Sequence, residues 1–350
     1  MMEINQKHMG YRIPYRFASR EEGVRLKMGN TAYFEAQTPR EIAWKLERPD
    51  ASSAYFKAIA EAQIREFTPD EKKAVDAAMD FIEERLSTLG IRLPFHEEII
   101  FIKSDMKDEG HAAGYTQKNQ IYLGSLCLER TARAFLKDPE YRADYAEFRL
   151  FIFRELVSHE LFHCLTRGDA SFRRRMYALI GFSVQDQDIE FGPSVREAIL
   201  HNPDVERYDD SAEFTIGGRK RRCILLATLS QSYAEAVTEN CCANFFDYAQ
   251  AALVPLDQPD TMIQLVDATD FYDVVGRNTD YVLSSEECLA ENFSALVTYG
   301  TEGRYDSMDK TVTPYETPQL IMEMHDTLRR HYYAELSDME ADQSTLLHWR

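Results

Sequence analysis

The sequence H-E-L-F-H at residues 159–163 constrains this chain more than any other stretch, because its residue types and spacing fit a metal ion. On a helix, residues four apart lie on one face, so His159 and His163 can direct their imidazoles at one ion. Zinc binds imidazole nitrogen readily and is usually tetrahedral. Glu160 would project beside such an ion, where it can take a proton from water. The motif therefore predicts two metal ligands and a general base.

The residues on either side of the motif predict a buried helix. No proline interrupts residues 151–167, and Gly168 suits the end of a helix. Apolar residues recur close to the i, i+3, i+4 spacing, at Phe153, Leu156, Val157, Leu161, Phe162 and Leu165. The alternative is a core helix whose two histidines are hydrogen-bonded within the protein and bind no metal.

Length and composition limit the classes of protein to consider. A chain of 350 residues with 44% hydrophobic residues allows one large domain or two modest ones, each with a real core. The net charge of −19 argues against binding to nucleic acid or to anionic membranes. The N-terminus is polar, and there is no window of 18 apolar residues. The six cysteines form no C-x-x-C pair. We therefore expect a soluble, cytoplasmic protein with reduced thiols.

Periodicity and capping residues predict an order of elements along the chain. We expect a helical N-terminal extension over residues 1–88 and a catalytic domain over residues 89–350. Strands are predicted at residues 97–103, 112–116 and 120–124. Helices are predicted at residues 39–46, 52–67, 68–89, 126–136, 141–166, 171–182 and 233–253, and residues 183–230 look irregular. Residues 121–124 are interpreted as an edge strand above the metal, where an extended peptide can add a strand; the alternative is an ordinary interior strand.

A catalytic zinc site needs a third protein ligand and one open position. The longer pattern H-E-x-x-H-x-x-G-x-x-H, which would supply a third histidine, is excluded, because Thr166 stands in the place of its glycine and Asp169 in the place of its last histidine. A distant carboxylate remains. Glu287 and Glu291 are four apart on one predicted helix face, so one can bind the metal while the other accepts the N–H of a ligand histidine. Glu235 and Glu239, on an earlier helix, are alternative ligands, and the acidic pair can also be a solvated helix start.

The motif, the segment 275–281 and the E-E-C-L-A-E-N-F sequence at residues 286–293 together resemble a family of zinc metallopeptidases with the zincin fold. In the related gluzincins the third ligand lies in an E-x-x-x-D pattern, and this chain has E-x-x-x-E. The resemblance implies Glu287 in the ligand place and Glu291 in the place that hydrogen-bonds a ligand histidine. Where the family often has His-Pro, this chain has Ser284-Ser285. The stretches at residues 67–72 and 99–103 also resemble the family, so the likeness covers most of the chain.

The expected protein is an α+β, zincin-like zinc metallopeptidase that acts on a peptide or protein substrate. A small mixed sheet would lie above the H-E-x-x-H helix, and a helical C-terminal subdomain would supply the third ligand. Candidate donors to the oxyanion are Tyr281, Tyr299, Arg277 and His325. One alternative is a catalytically inactive zincin-like module that binds metal or a partner. Another is a hydrolase that uses Cys164 as its nucleophile. The sequence does not determine the oligomeric state or the cleavage specificity.

Overall fold

The computed structural model describes residues 12–330 of the chain. Within these residues the helices are α1 (Arg20–Met28), α2 (Thr31–Ala36), α3 (Pro39–Lys45), α4 (Ser53–Ala62), α5 (Pro69–Leu89), α6 (Ser125–Phe135), α7 (Ala143–Gly168), α8 (Ala170–Leu179), α9 (Pro193–Ala198), α10 (Tyr233–Glu239), α11 (Phe245–Tyr248), α12 (Phe271–Val275), α13 (Ser285–Tyr299) and α14 (residues 318–330). The strands are β1 (Tyr15–Phe17), β2 (Ile64–Arg65), β3 (Ile99–Ser104), β4 (Gly114–Gln117), β5 (Gln120–Gly124), β6 (Ser183–Val184), β7 (Asp210–Ile216), β8 (Arg219–Leu229), β9 (Ala249–Pro255), β10 (Ile263–Gln264), β11 (Arg304–Asp306) and β12 (Thr311–Thr313). The α+β class predicted from the sequence is confirmed.

Local capping chemistry places the helix boundaries close to their predicted positions. At the start of α5, the Thr68 hydroxyl accepts the N–H of Glu71, and the Glu71 carboxylate accepts the N–H of Thr68. Pro69 occupies the first turn, where no N–H is needed. Gly90 ends the helix with a φ of 68°, a left-handed conformation that glycine adopts without a steric penalty.

A mixed sheet of five strands carries one wall of the candidate site. Its order is β1-β3-β5-β4, and β2 pairs with the end of β3. Strands β1, β3 and β5 run parallel, whereas β2 and β4 pair antiparallel with their neighbours. The small mixed sheet expected around residues 97–124 is therefore present. Strands β1 and β2 belong to the predicted N-terminal extension, so that part of the chain adds two strands to the sheet of the predicted catalytic domain.

Strand β4 is one edge of this sheet and β5 is an interior strand, so the interpretation of residues 121–124 as an edge strand is wrong. Strand β5 is paired on both sides, by β3 and by β4. The register pairs Gln117 with Gln120 across a two-residue turn, and the N–H of Gly124 donates to the carbonyl of Ala113. In an antiparallel pair, only every second residue of a strand directs its backbone N–H and C=O groups at the neighbouring strand. Gly114 and Thr116 therefore direct their backbone polar groups away from β5, toward the open edge.

A second sheet of five strands, in the order β10-β9-β8-β7-β6, occupies much of residues 183–264. The single helix predicted over residues 233–253 is wrong, because α10 ends at Glu239, α11 covers only Phe245–Tyr248, and residues 249–255 form β9. Strand β9 pairs antiparallel with β8 over seven positions, from Cys223 opposite Pro255 to Leu229 opposite Ala249. A short apolar run fits either a helix or a strand, and pairing with β8 decides between them. The expected helical C-terminal half therefore contains a sheet as well.

Helix α7 runs through the main hydrophobic core and packs against α13, α5 and α6. Eleven of its residues are buried, which include every residue from Val157 to Thr166. The ring centroids of Phe162 on α7 and Phe293 on α13 lie 5.4 Å apart. This packing holds α7 and α13 face to face. Within residues 12–330, no helix combines the length and the apolar character needed to cross a bilayer.

Candidate metal centre

The two histidines of the motif lie next to each other on the buried face of α7. The ring centroids of His159 and His163 are 4.8 Å apart, as expected for residues one helical turn apart. His163 is completely buried and His159 is 8% exposed. The apolar residues on either side of the motif bury the helix almost all round, which removes both imidazoles from bulk water.

Helix α13 presents its acidic first turn to these imidazoles. The Ser284 hydroxyl caps the helix by accepting the N–H of Glu287 at 3.1 Å. Glu286 and Glu287 follow in the first turn, where the helix dipole favours negative charge. Both carboxylates are at least nine-tenths buried, and the side chain of Glu291 is only 24% exposed, so the predicted pair Glu287 and Glu291 is not a solvated helix start. The predicted pair Glu287 and Glu291 lies on the face of α13 that meets His159.

His159, His163 and Glu287 bring one potential ligand atom each into a cluster in which all atoms lie within 4.8 Å of one another. Oε2 of Glu287 is 3.0 Å from Nε2 of His159 and 3.9 Å from Nε2 of His163. Nε2 of His163 is buried and has no hydrogen-bond partner among the described residues. An unpaired buried nitrogen is costly in a folded protein. The residues that the sequence selected are therefore adjacent, and one nitrogen aims at the space between them.

A second set of carboxylates orients the two imidazoles from behind. Nδ1 of His159 lies 3.2 Å from Oε1 of Glu291, and Nδ1 of His163 lies 2.9 Å from Oε1 of Glu286. Glu286 is itself held, since it accepts hydrogen bonds of 2.5 Å from the Thr166 hydroxyl and from the Tyr177 hydroxyl. A carboxylate at Nδ1 favours the tautomer that leaves Nε2 free for a metal.

Glu160 lies beside this cluster and contacts the edge strand β4. Its Oε2 accepts a 2.7 Å hydrogen bond from the Thr116 hydroxyl, which also donates to the Glu160 carbonyl at 3.2 Å. A Cβ atom on Gly114 would lie 3.0 Å from Oε1 of Glu160, so a glycine allows this close approach. Burial, with the nearby Asp204 carboxylate as the next cause, raises the pKa of Glu160 to about 8.

Two residues of the loop between α9 and β7 complete the pocket, and sequence reasoning missed both. The side-chain amide of Asn202 donates to Oε1 of Glu287. Oδ1 of Asp204 accepts the backbone N–H of Thr116 at 2.5 Å. Asp204, Glu160 and His163 form a second group of potential ligand atoms within 4.8 Å of one another. Burial, followed by the Glu287 carboxylate, raises the pKa of Asp204 to about 8. No local motif marks these residues, because they sit in an irregular polar stretch.

The other candidate residues lie at different distances from the cluster. The Tyr281 ring centroid is 6.5 Å from that of His159. Tyr281 also lines a small cavity beside Asp204 and β4. The Tyr299 hydroxyl donates to Glu155, one turn before His159 on α7, at 3.1 Å. Arg277 stacks over Tyr272, and His325 contacts the carbonyl of Leu89.

The alternative third ligands lie on α10. Glu235 is exposed and accepts hydrogen bonds from Ser232 in the capping box at the start of that helix. Glu239 is also exposed, and its Oε2 lies 3.4 Å from the side-chain amide of Gln231. The structure thus brings Glu287 to the imidazoles and leaves both α10 carboxylates in contact with other residues.

Comparisons of the chain with protein-family models, with curated proteins and with solved structures found no match.

Proposed function

We propose that this protein is a zinc-dependent metallopeptidase, with His159, His163 and Glu287 as the metal ligands and Glu160 as the general base. The observation that carries the proposal is the buried Nε2 of His163, which has no hydrogen-bond partner within residues 12–330 and lies beside His159 and the Glu287 carboxylate. Two imidazole nitrogens and one carboxylate oxygen are a common ligand set for catalytic zinc.

The charges around the pocket support a bound cation. Glu160, Asp204 and Glu287 converge on His163 in a buried space, and like charges in such a space repel strongly. Both ring nitrogens of His159 face carboxylates, although a neutral imidazole has only one N–H. A divalent ion held by His159, His163 and Glu287 would offset this excess of negative charge. The residues therefore fit the metal that the sequence motif predicts.

The roles of the other residues follow from their contacts. A zinc ion held here would supply Lewis acidity, which polarises a peptide carbonyl and lowers the pKa of water. Glu160 takes the proton from the attacking water and passes it to the leaving amine. The Thr116 hydroxyl holds the Glu160 carboxylate in place. Apolar packing around residues 157–166 keeps bulk water out, which strengthens these interactions.

The edge of β4 is the proposed binding surface for an extended peptide. Gly114 and Thr116 direct backbone groups away from β5, and Thr116 also touches Glu160. A peptide that paired with β4 as an additional strand would pass directly beside the general base. The proposal therefore places the substrate on β4 rather than on β5.

The two alternative functions receive less support. The Cys164 thiol is 5% exposed, and burial raises its pKa far above the ordinary value, which suppresses the reactive thiolate. A metal-binding module without catalytic activity would have no need for Glu160 to be held by Thr116 beside the ligands.

The test combines metal content with cleavage. We expect purified protein to contain about one zinc per chain by elemental analysis and to digest a peptide library in a chelator-sensitive way. The substitution Glu160→Gln should retain zinc and reduce turnover by about 10²–10⁴-fold. Glu147→Gln, which removes the same charge from a more exposed position on α7, is the matched control. Full cleavage by the Glu160→Gln protein would refute the assignment of the base.

A further inference from the structure

A short loop segment, residues 201–206, lies where the peptide substrate would have to bind. It belongs to the connection between α9 and β7. The N–H of Thr116 points to the open edge of β4, and Asp204 accepts it at 2.5 Å. An added peptide strand would need the same N–H for a backbone carbonyl. The Asp204 carboxylate therefore stands in for a substrate carbonyl at this position.

The same segment reaches the metal ligands. The Asn202 amide donates to the Oε1 atom of Glu287. A carboxylate oxygen of Asp204 lies within 4.8 Å of the ligand atoms of both His163 and Glu160. Nε2 of His163 is buried and has no hydrogen-bond partner among the described residues, and His163 belongs to both groups of potential ligand atoms. The Asp204 carboxylate thus lies on the His163 side of the proposed metal site, next to Glu160.

Residues outside the pocket hold the segment in this position. Glu41 on α3 accepts the backbone N–H of His201, and its carboxylate lies 2.9 Å from Nδ1 of the same histidine. On the other side, the Arg167 guanidinium donates to the carbonyl of Pro203 at 3.1 Å. The segment is therefore anchored both to the N-terminal helices and to the end of α7.

The cavity that remains between β4 and segment 201–206 is small. A cavity of about 70 Å³ is lined by Gly114 and Tyr115 of β4, by Asp204 and by Tyr281. Pockets for drug-sized ligands occupy roughly 300–1,000 Å³. With residues 201–206 in place, this cavity has room for a few water molecules and not for a peptide beside β4.

We propose that segment 201–206 is a built-in inhibitor of the active site, in which Asp204 occupies the edge of β4 and lies beside His163 and Glu160, where it blocks the approach of a ligand to the metal. This inference rests on the proposed function. A carboxylate on this side of a bound metal would compete with an incoming ligand for the open position that a catalytic zinc site needs. The resting protein therefore binds metal but turns over slowly, and a peptide enters only when Asp204 leaves the pocket.

The experiment measures access to the metal without relying on turnover. Wild type, Asp204→Ala and Glu206→Ala are loaded with Co²⁺, and each is titrated with acetohydroxamate while the visible absorption of the cobalt is followed. Glu206→Ala is the matched control, because it removes a carboxylate from an exposed position in the same segment. Arg167→Gln is a second test variant, since it frees the carbonyl of Pro203 and leaves Asp204 unchanged.

We expect Asp204→Ala to bind acetohydroxamate at least about tenfold more tightly than wild type and Glu206→Ala, and to show an altered cobalt spectrum. The affinity of Arg167→Gln for acetohydroxamate should lie between those of wild type and Asp204→Ala. Library digestion should be faster for Asp204→Ala than for wild type. Equal acetohydroxamate affinity in wild type and in both test variants would overturn the inhibitor role and leave the metallopeptidase proposal standing. Weaker acetohydroxamate binding or slower digestion in Asp204→Ala would overturn it in favour of a substrate-binding role for Asp204. Failure of the wild type to take up cobalt would overturn the proposed function and this inference with it.

Discussion

Nδ1 of His163 lies 2.9 Å from Oε1 of Glu286, the residue immediately before the proposed ligand Glu287. Adjacent residues on α13 therefore act on the same imidazole from opposite sides. The Glu286 carboxylate accepts a hydrogen bond from Nδ1 of His163, while the Glu287 carboxylate faces Nε2 of the same ring. The two side chains diverge by about 100° around a helix, which allows one to orient the ring and the other to share its metal.

Glu286→Gln should weaken zinc binding by about 10–100-fold, because the neutral amide orients His163 less firmly and no longer favours the N–H at Nδ1. The measurement is competitive zinc titration with a chromogenic chelator. Glu302→Gln removes the same charge from an exposed position beyond α13 and is the control. Unchanged zinc affinity in Glu286→Gln would contradict the orienting role.

Ser284→Ala should lower both the stability of the fold and the affinity for zinc. The hydroxyl caps α13 by accepting the N–H of Glu287, and loss of such a cap costs about 1 kcal/mol. The first turn that holds Glu287 then frays, and we expect zinc affinity to fall by about tenfold. Ser232→Ala removes the corresponding cap from α10 and should cost similar stability with no effect on zinc. Equal zinc affinities in the two variants would argue against this coupling.

Zinc should stabilise the folded protein by mass action. At a free concentration of about 100 times its Kd, a ligand that binds only the folded state adds about 2.7 kcal/mol. We expect this increment in urea unfolding of wild type, and its loss in His163→Ala. His96→Ala, at an exposed position outside the pocket, should keep the increment and serves as the control. A wild-type protein with the same unfolding midpoint in zinc and in chelator would contradict the metal site.

Asp210→Asn should stabilise the metal-free protein more at pH 8 than at pH 5. Asp210 is buried and accepts the Ser285 hydroxyl at 2.7 Å, and burial raises its pKa to about 7. The unfolded value is about 3.9, so the folded state binds the proton more tightly. The contribution of Asp210 to stability is fully present below about pH 4 and is lost as the pH rises through about 7.

Asparagine keeps the bond to Ser285 and does not titrate, so the gain over wild type should increase by up to about 3 kcal/mol between these two pH values. Urea unfolding of wild type and variant at both pH values measures the difference. Asp186→Asn, at an exposed position, controls for the loss of one negative charge. A gain of the same size at pH 5 and pH 8 would show that the carboxylate of Asp210 does not carry the effect.

Local sequence patterns predicted the elements that carry the proposed ligands. The apolar periodicity around residues 151–167 and the spacing of Glu287 and Glu291 follow from the geometry of a single helix, and α7 and α13 have the predicted faces. Capping residues such as Thr68 act within one turn, so they also predicted where helices begin. Each of these signals depends on residues that are close in the chain.

Tertiary structure decided the features that join distant residues. The order of the strands makes β4 an edge of its sheet. Pairing with β8 makes residues 249–255 a strand. Folding of the chain brings Thr116 into contact with both Asp204 and Glu160. Such contacts are sums of many weak interactions across the core, and no local period encodes them. The sequence alone therefore determined that two imidazoles share one face of α7 and that a carboxylate lies on one face of α13. Only the folded chain decided what lies opposite them.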